Sequence, residues 1–267
     1  MVDVNRAVRV LGCNLFKGLF SRCGSGENLL VSPYAAMVTL SLLMAGAQED
    51  TEQELGEALQ VRLPLIHAAM RRTLLFPTAT GPTPEQEKVY FRMANRVLVG
   101  SALSLNDSYC KIGSRVYGTT VEEADFDDDA DNERSTVNEW AKQKAGITGD
   151  LLGAECTLAA DTGIVLLSCA SVRAVSWQQP VSSKVSPFGQ VQAAPTLETC
   201  AAYGYAWLEE LSLQAVDVPF LCEAFSATVL LPVGSKSLEE LCQNLTAEVR
   251  STSNPDAPRS RWGDRDT

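Results

Sequence analysis

The sequence predicts an α+β fold, and three stretches carry that reading. The first is a short apolar run, Leu29-Leu30-Val31, that breaks at Ser32-Pro33 into a helix without a single charge. The second is TGIVLLSCASV over 162–172, a continuous apolar run of the kind that forms a strand buried on both faces. The third is a succession of strands, YGYAWLEEL, LQAVDVPF and FSATVLLP.

Each element has a local cause. Val4, Val8, Leu11, Leu15 and Leu19 fall on one face of a helix, and Arg6, Arg9 and Lys17 among them rule out the core of a secretory leader. Ser32 is placed to cap the helix that follows, and Pro33 suits its first position, where no amide hydrogen is needed. That helix carries Met37, Val38, Leu40, Leu42, Leu43 and Met44, ends at Gly46, and is expected to be buried all round. Thr51 with Glu54 predicts a capping box for the next helix. A short helical patch is expected from His67 to Phe76, then the exposed connection PTATGPTPEQE, then a strand over 88–99.

Tyr109, Ile112, Val116 and Tyr117 share a helix face with Gly118 as the stop, and TTVEEADF alternates as a strand. Asp127, Asp128, Asp129 and Asp131 precede another helix, where negative charge suits the positive end of the helix dipole. That reading outweighs a calcium loop, which would need oxygen ligands in EF-hand order and a glycine at the turn. Ser237 with Glu240 caps a last helix holding Leu238, Leu241 and Leu245. Beyond Val249, RSTSNPDAPRSRWGDRDT lacks apolar periodicity. The domain reading is therefore 1–249 for the folded region and 250–267 for an unstructured or unrelated tail.

Composition narrows the function. With 267 residues and 45% apolar content the chain fills a sizeable core, and a net charge of −11 disfavours nucleic acid as a partner. The eight cysteines lack zinc-ligand spacing, most read as buried small hydrophobes, and Cys169 lies in an apolar strand. No apolar run is long enough to span a membrane. No nucleophile elbow, P-loop, dinucleotide fingerprint or zinc-protease motif occurs, and His67 is the one histidine. No catalytic residue, cofactor or metal site is therefore assigned. Asn106 and Asn244 head glycosylation triplets, which also read as helix caps and polar helix faces.

Several segments together resemble the serpin family of serine protease inhibitors. Asn28, Ser32, Pro33, Gly46, Ala47 and Thr51 match its N-x-x-x-S-P helix and the L-G-A-x-G-x-T that follows; Ala94-Asn95 matches its second sheet A strand. Tyr117, Val121, Asp125 and Phe126, then Asn138 and Trp140, continue the match, and Trp177 follows the third strand of that sheet after one inserted residue. The resemblance implies helices A to G on mixed sheets A, B and C, incomplete at the carboxy terminus. It also implies a mechanical trap, in which a cleaved reactive loop inserts into sheet A and deforms the acylated protease.

The family carries that loop near its carboxy terminus, and no small-residue hinge follows position 249 here. No reactive-site bond is assigned. By the same resemblance the shutter of sheet A falls on Ser32, Ala35 (a serine in the family) and Ser168 (an asparagine in the family), with Trp177 at the breach. The expectation is a chain that ends before its reactive loop and does not inhibit by itself. A serine protease becomes a partner only if the full product supplies the missing region. Family membership favours an extracellular protein, and the leaderless amino terminus favours a cytoplasmic one. A non-inhibitory binding or scaffold protein on the same core is the alternative, as is an inhibitor whose sequence continues.

Overall fold

The structure is a computed structural model that describes residues 4–74, 89–174 and 182–247 apart from a few loop positions, and it divides into two units. The first comprises 1–78 and 91–172; the second comprises 79–90 and 173–267.

The first unit is built from helices α1 (Val4–Phe20), α2 (Pro33–Gly46), α3 (Glu49–Leu59), α4 (Leu63–Leu74), α5 (Asp107–Tyr117) and α6 (Ala130–Ala145). Strands β1 (Val89–Gly100), β2 (Thr119–Ala124) and β3 (Ile164–Ala174) form a sheet in the order β2-β1-β3. β1 and β2 run parallel, with Asn95 opposite Thr119 and Gly100 opposite Ala124. Because side chains alternate along a strand, β1 serves two cores at once. Val97 and Val99 join Met37, Val38, Leu42, Met44, Ile66 and Tyr117 on the side of α2, α4 and α5. Leu98 packs with Val137 of α6 and Leu167 of β3, and Ala94 with Ala141, Ala145 and Cys169.

The helix limits follow local chemistry. Ser32 caps α2, its Oγ accepting a hydrogen bond from the Ala35 amide at 3.3 Å. Gly46 ends α2 for a reason other than a left-handed turn: a Cβ there would lie 2.9 Å from the Tyr109 ring. Tyr109 in turn donates from its hydroxyl to the Leu42 carbonyl at 3.2 Å. Gly118 does provide the left-handed stop of α5, at φ 60°.

Five expectations need correction. Leu29-Leu30-Val31 belongs to no ladder, and Leu30 is 96% exposed; an extended segment becomes a strand only beside another, and none among the described residues adjoins it. α2 is not buried all round, since Leu43 is 45% exposed. The capping box at Thr51 is absent because α3 begins two residues earlier, behind Gln48, where Glu49, Asp50 and Glu52 suit the dipole. Nor is β3 covered on both faces along its length: β1 is its one neighbour among the described residues, and Ile164 and Val172 are exposed. α4 begins at Leu63, ahead of the expected His67, while Leu75 and Phe76 lie outside the described residues.

The second unit holds a hairpin, β4 (Ser182–Phe188) with β5 (Val191–Glu198), which the sequence reading did not anticipate. It also holds the expected meander β6 (Gly204–Leu208), β7 (Leu213–Pro219) and β8 (Ser226–Pro232), antiparallel throughout. Leu213 and Ala215 are buried, while Trp207, Val229 and Leu231 of the opposite face are exposed. α7 (Leu238–Asn244) starts with the expected capping box of Ser237 and Glu240. Cys169 and Cys242 are buried, whereas Cys13, Cys23, Cys110 and Cys156 are only partly so, against the expectation that most are core residues; Cys200 and Cys222 lie outside the described residues.

Helix α1 approaches α2 so closely that a Cβ on Gly12 would lie 2.5 Å from Pro33 Cγ. Gly12→Ala must push the two helices apart despite alanine's better helix propensity. A loss of about 1–3 kcal/mol is expected, read as a lower urea midpoint. An unchanged or raised midpoint would show that the contact yields cheaply.

Candidate functional site

The residues expected at the family's shutter fall into two places. Ser32 and Ala35 form the first turn of α2, where Ser32 Oγ is spent on capping and Ala35 is buried with no hydroxyl to offer. Ser168, on β3, donates from Oγ to Asn95 Oδ1 of β1 at 2.8 Å. Asn95 passes the link on, donating from Nδ2 to the Tyr117 carbonyl at the end of α5, 2.7 Å away. The structure thus joins β3, β1 and α5 through Asn95, and among the described residues no hydrogen bond connects this chain to Ser32 or Ala35. Trp177 lies outside the described residues.

Asn95 was legible as part of an Ala-Asn motif but not as a site residue. Its signal was an amide on the strand face shared by Val97 and Val99, where burial requires partners. Arg96, its neighbour on the opposite face, is a second residue the sequence reading missed. Its guanidinium hydrogen-bonds and ion-pairs with Glu122 of β2, and it sits 5.8 Å from the centre of the Trp140 ring of α6. The Arg96 side chain is 9% exposed and Glu122 44%, so the pair is half-desolvated and closed on the helix side by an aromatic face. Burial pushes the Glu122 carboxyl up, but hydrogen bonds from Arg96 and Thr120 and the arginine charge carry it below its ordinary range.

Helix α6 is tied to the loop beyond it as well as to the sheet. Asn138 donates from Nδ2 to the Leu152 carbonyl at 2.9 Å and accepts from the Leu152 amide at 2.8 Å. Lys142 pairs with Asp150 at 2.6 Å, and Ser171 Oγ of β3 donates to the Ala145 carbonyl at the helix end. Asn138 and Trp140, read from sequence as a family signature, therefore hold α6 to its loop and to Arg96. Among the described residues no group of histidine, cysteine and carboxylate side chains is arranged to hold a metal, and no helix is long and apolar enough to cross a membrane.

The two glycosylation triplets have different surroundings. Asn106 is exposed and caps α5 through Oδ1, which accepts from the Ser108 amide at 2.7 Å. Asn244 spends its amide nitrogen on the Glu240 carbonyl at 2.8 Å.

This order of strands, with a helix lying over one face and the capped apolar helix beneath the other, has known counterparts. The chain matches the family described as serpin (serine protease inhibitor) over residues 6–262. The chain belongs to the serpin family. Antithrombin-III of Mus musculus is 23% identical over 274 residues, which cover 92% of this chain and 55% of that protein. Serpin B11 of Homo sapiens is 23% identical, over 88% of this chain and 64% of its own length. The chain thus spans between about half and two thirds of these two relatives.

Among solved structures, emu ovalbumin (Dromaius novaehollandiae) superposes with a TM-score of 0.80 at 18% identity, covering 95% of this chain and 70% of that one. Manduca sexta serpin-12 gives 0.79 at 20% identity, covering 92% and 69%. The α+β serpin-like fold expected from the motifs is therefore the fold observed.

The two polar links should respond differently to mutation. Asn95→Ala leaves the buried Tyr117 carbonyl without its donor and Ser168 without its acceptor, and is expected to cost about 1–3 kcal/mol. Arg96→Met removes a buried charge and keeps volume, so it is expected to be neutral or stabilising, whereas Glu122→Gln strands the arginine and destabilises. Water reaches Glu122, so that loss should fall well short of a fully buried pair. Urea midpoints of the three variants decide the matter, and a large loss in Arg96→Met would show that the pair is a net source of stability.

Proposed function

We propose that residues 1–267 are a serpin core that does not inhibit a protease by itself and that needs a further carboxy-terminal segment to close its sheets. The observation that carries this reading is the apolar segment 28–31, which joins no ladder, with Leu30 almost wholly in water. Exposed Leu43 on α2 and the uncovered apolar residues of β3 favour it too. So does the fraction of the relatives' length that the chain spans.

In this reading the domain is 1–249 with a separate 250–267 tail, and Ser32, Ala35, Ser168 and Trp177 mark where the family's shutter and breach stand. The Ala35 and Ser168 replacements weaken that shutter, because one hydroxyl is gone and the other is engaged with Asn95. A serine protease is the partner of a longer product that carries a reactive loop. Family membership favours an extracellular site of action, with the cytoplasm the alternative, and Asn106 is the better placed of the two glycosylation candidates.

A second reading follows from the same unladdered segment: a binding or scaffold protein completed by strand addition from another chain. The two readings separate in one experiment. The purified chain is incubated with trypsin-like and chymotrypsin-like proteases, and covalent complexes are sought on denaturing gels, with and without a peptide carrying a serpin's carboxy-terminal strands. No complex in any lane, with a melting transition that appears only when peptide is added, is the expected result. A sharp transition from the soluble monomer alone would sink the proposal that the core is incomplete, and a covalent complex would sink the proposal that it is not inhibitory. Sequencing the 3′ end of the transcript shows whether an in-frame hinge and loop follow Thr267.

A further inference from the structure

His67 is the one imidazole in the chain, and the serpin reading gives it no task. It lies on α4, with its ring edge-to-face against Tyr117 of α5, centroids 5.6 Å apart and planes at 87°. Its Nε2 is buried and has no hydrogen-bond partner among the described residues. The hydroxyl of Tyr117, against whose ring it packs, and Ser41 Oγ of α2 near that hydroxyl are buried and unbonded too. Tyr117 and Ser41 are close enough to interact electrostatically without a well-formed hydrogen bond, and burial pushes the Tyr117 phenol far up.

Helices α1, α2 and α5 pack against α4, and what they carry is unsuited to a second cation. α1 and α4 hold arginines and a lysine but no carboxylate, with Arg9 of α1 itself buried at Nε. α2 holds no charge, and its polar side chains are Tyr34, Thr39 and Ser41. α5 holds Lys111 and Arg115, and its one carboxylate, Asp107, stands in the first turn, at the opposite end from Tyr117. None of these four helices places a carboxylate beside Tyr117 to stabilise an imidazolium.

We propose that His67 is an acid trigger of the helical core: a proton taken up at Nε2 unseats the ring from Tyr117 and loosens α4 from α2 and α5. Burial holds the imidazole below its ordinary pKa, so the unfolded chain binds the proton first. The stability His67 secures is present in full above the ordinary imidazole range. It is lost as pH falls through that range, and the loss ends once pH passes the folded-state value.

A single histidine makes the test clean, because its C2 proton is one resonance. It is followed by NMR from pH 8 to 4.5 in the form that unfolds cooperatively, either the chain alone or the chain with the carboxy-terminal peptide bound. Unfolding midpoints of wild type, His67→Phe and His67→Gln are measured over the same range. The expected result is a titration displaced to acid pH, and a wild-type midpoint that falls more steeply than in both variants. An ordinary imidazole titration, or parallel pH curves, overturns the proposal while leaving the incomplete-core reading intact. A chain without a cooperative transition in either form has no such seat and overturns it as well.

Discussion

A slip of β1 by one residue would exchange the two cores of the first unit, and the register that prevents it is set by polar side chains as much as by apolar ones. Val97 and Leu98 are equally acceptable to either core by volume and hydrophobicity. Asn95 and Arg96 are not. In the observed register Asn95 meets Ser168 and the Tyr117 carbonyl, and Arg96 meets Glu122 and Trp140. Shifted by one, the amide would lie under α6 without those partners and the guanidinium would enter the apolar cluster around α2. The cost of burying an unpartnered charge far exceeds anything that repacking valine and leucine could return. The adjacent Asn-Arg pair thus fixes which face of β1 belongs to which helix.

That division has a consequence for what holds α6. The helix has a weakly apolar underside made of Val137, Ala141 and Ala145, small residues that bring it close to the sheet but bury little area. Trp140 over Arg96, Asn138 on the Leu152 backbone and Ser171 on the last turn supply direction instead. Contacts of this sort specify an orientation strongly and contribute modest net free energy, because each replaces hydrogen bonds to water. On the other side of the sheet α2 is held in the opposite manner, by area, with Met37, Val38, Leu42 and Met44 all but fully buried.

Much of this was legible in the sequence, and the failures share a cause. Ser32-Pro33, Gly118 and the Ser237–Glu240 box act within one turn of chain, so their signals were complete in a few residues and the structure has them where expected. The strand at 29–31, the encasement of α2 and the double-sided burial of β3 were read from apolarity alone. Apolarity states what a segment needs and not whether a neighbour supplies it. The hairpin β4–β5 escaped notice for the complementary reason: Ser182, Ser183, Lys184 and Val185 are all exposed, so no alternation marks the first strand, and Pro187 and Pro195 obscure both. Asn95 and Arg96 needed the third dimension, since Tyr117, Ser168, Glu122 and Trp140 are scattered over some fifty residues of chain that only the fold assembles.

The same distinction bears on function. A serpin core is recognised by its short-range signatures, and these run from Ser32-Pro33 to Asn138 and Trp140, with Ala35 a departure among them. In the proposed reading, inhibition by insertion depends instead on long-range supply: a further strand would have to reach β3, and exposed Leu30 and Leu43 would need cover. An apolar edge left uncovered favours whatever strand arrives, whether from the same chain, a partner or another copy. If the segment is supplied in the same chain, loop closure makes its effective concentration high and the sheet completes itself before competitors can pair with it. If it is supplied from outside, the core must survive in its open form long enough to be found. The polar pins at Asn95 and Arg96 are what would keep β1 and β2 in register during that wait, because the partners they use all lie within the first unit.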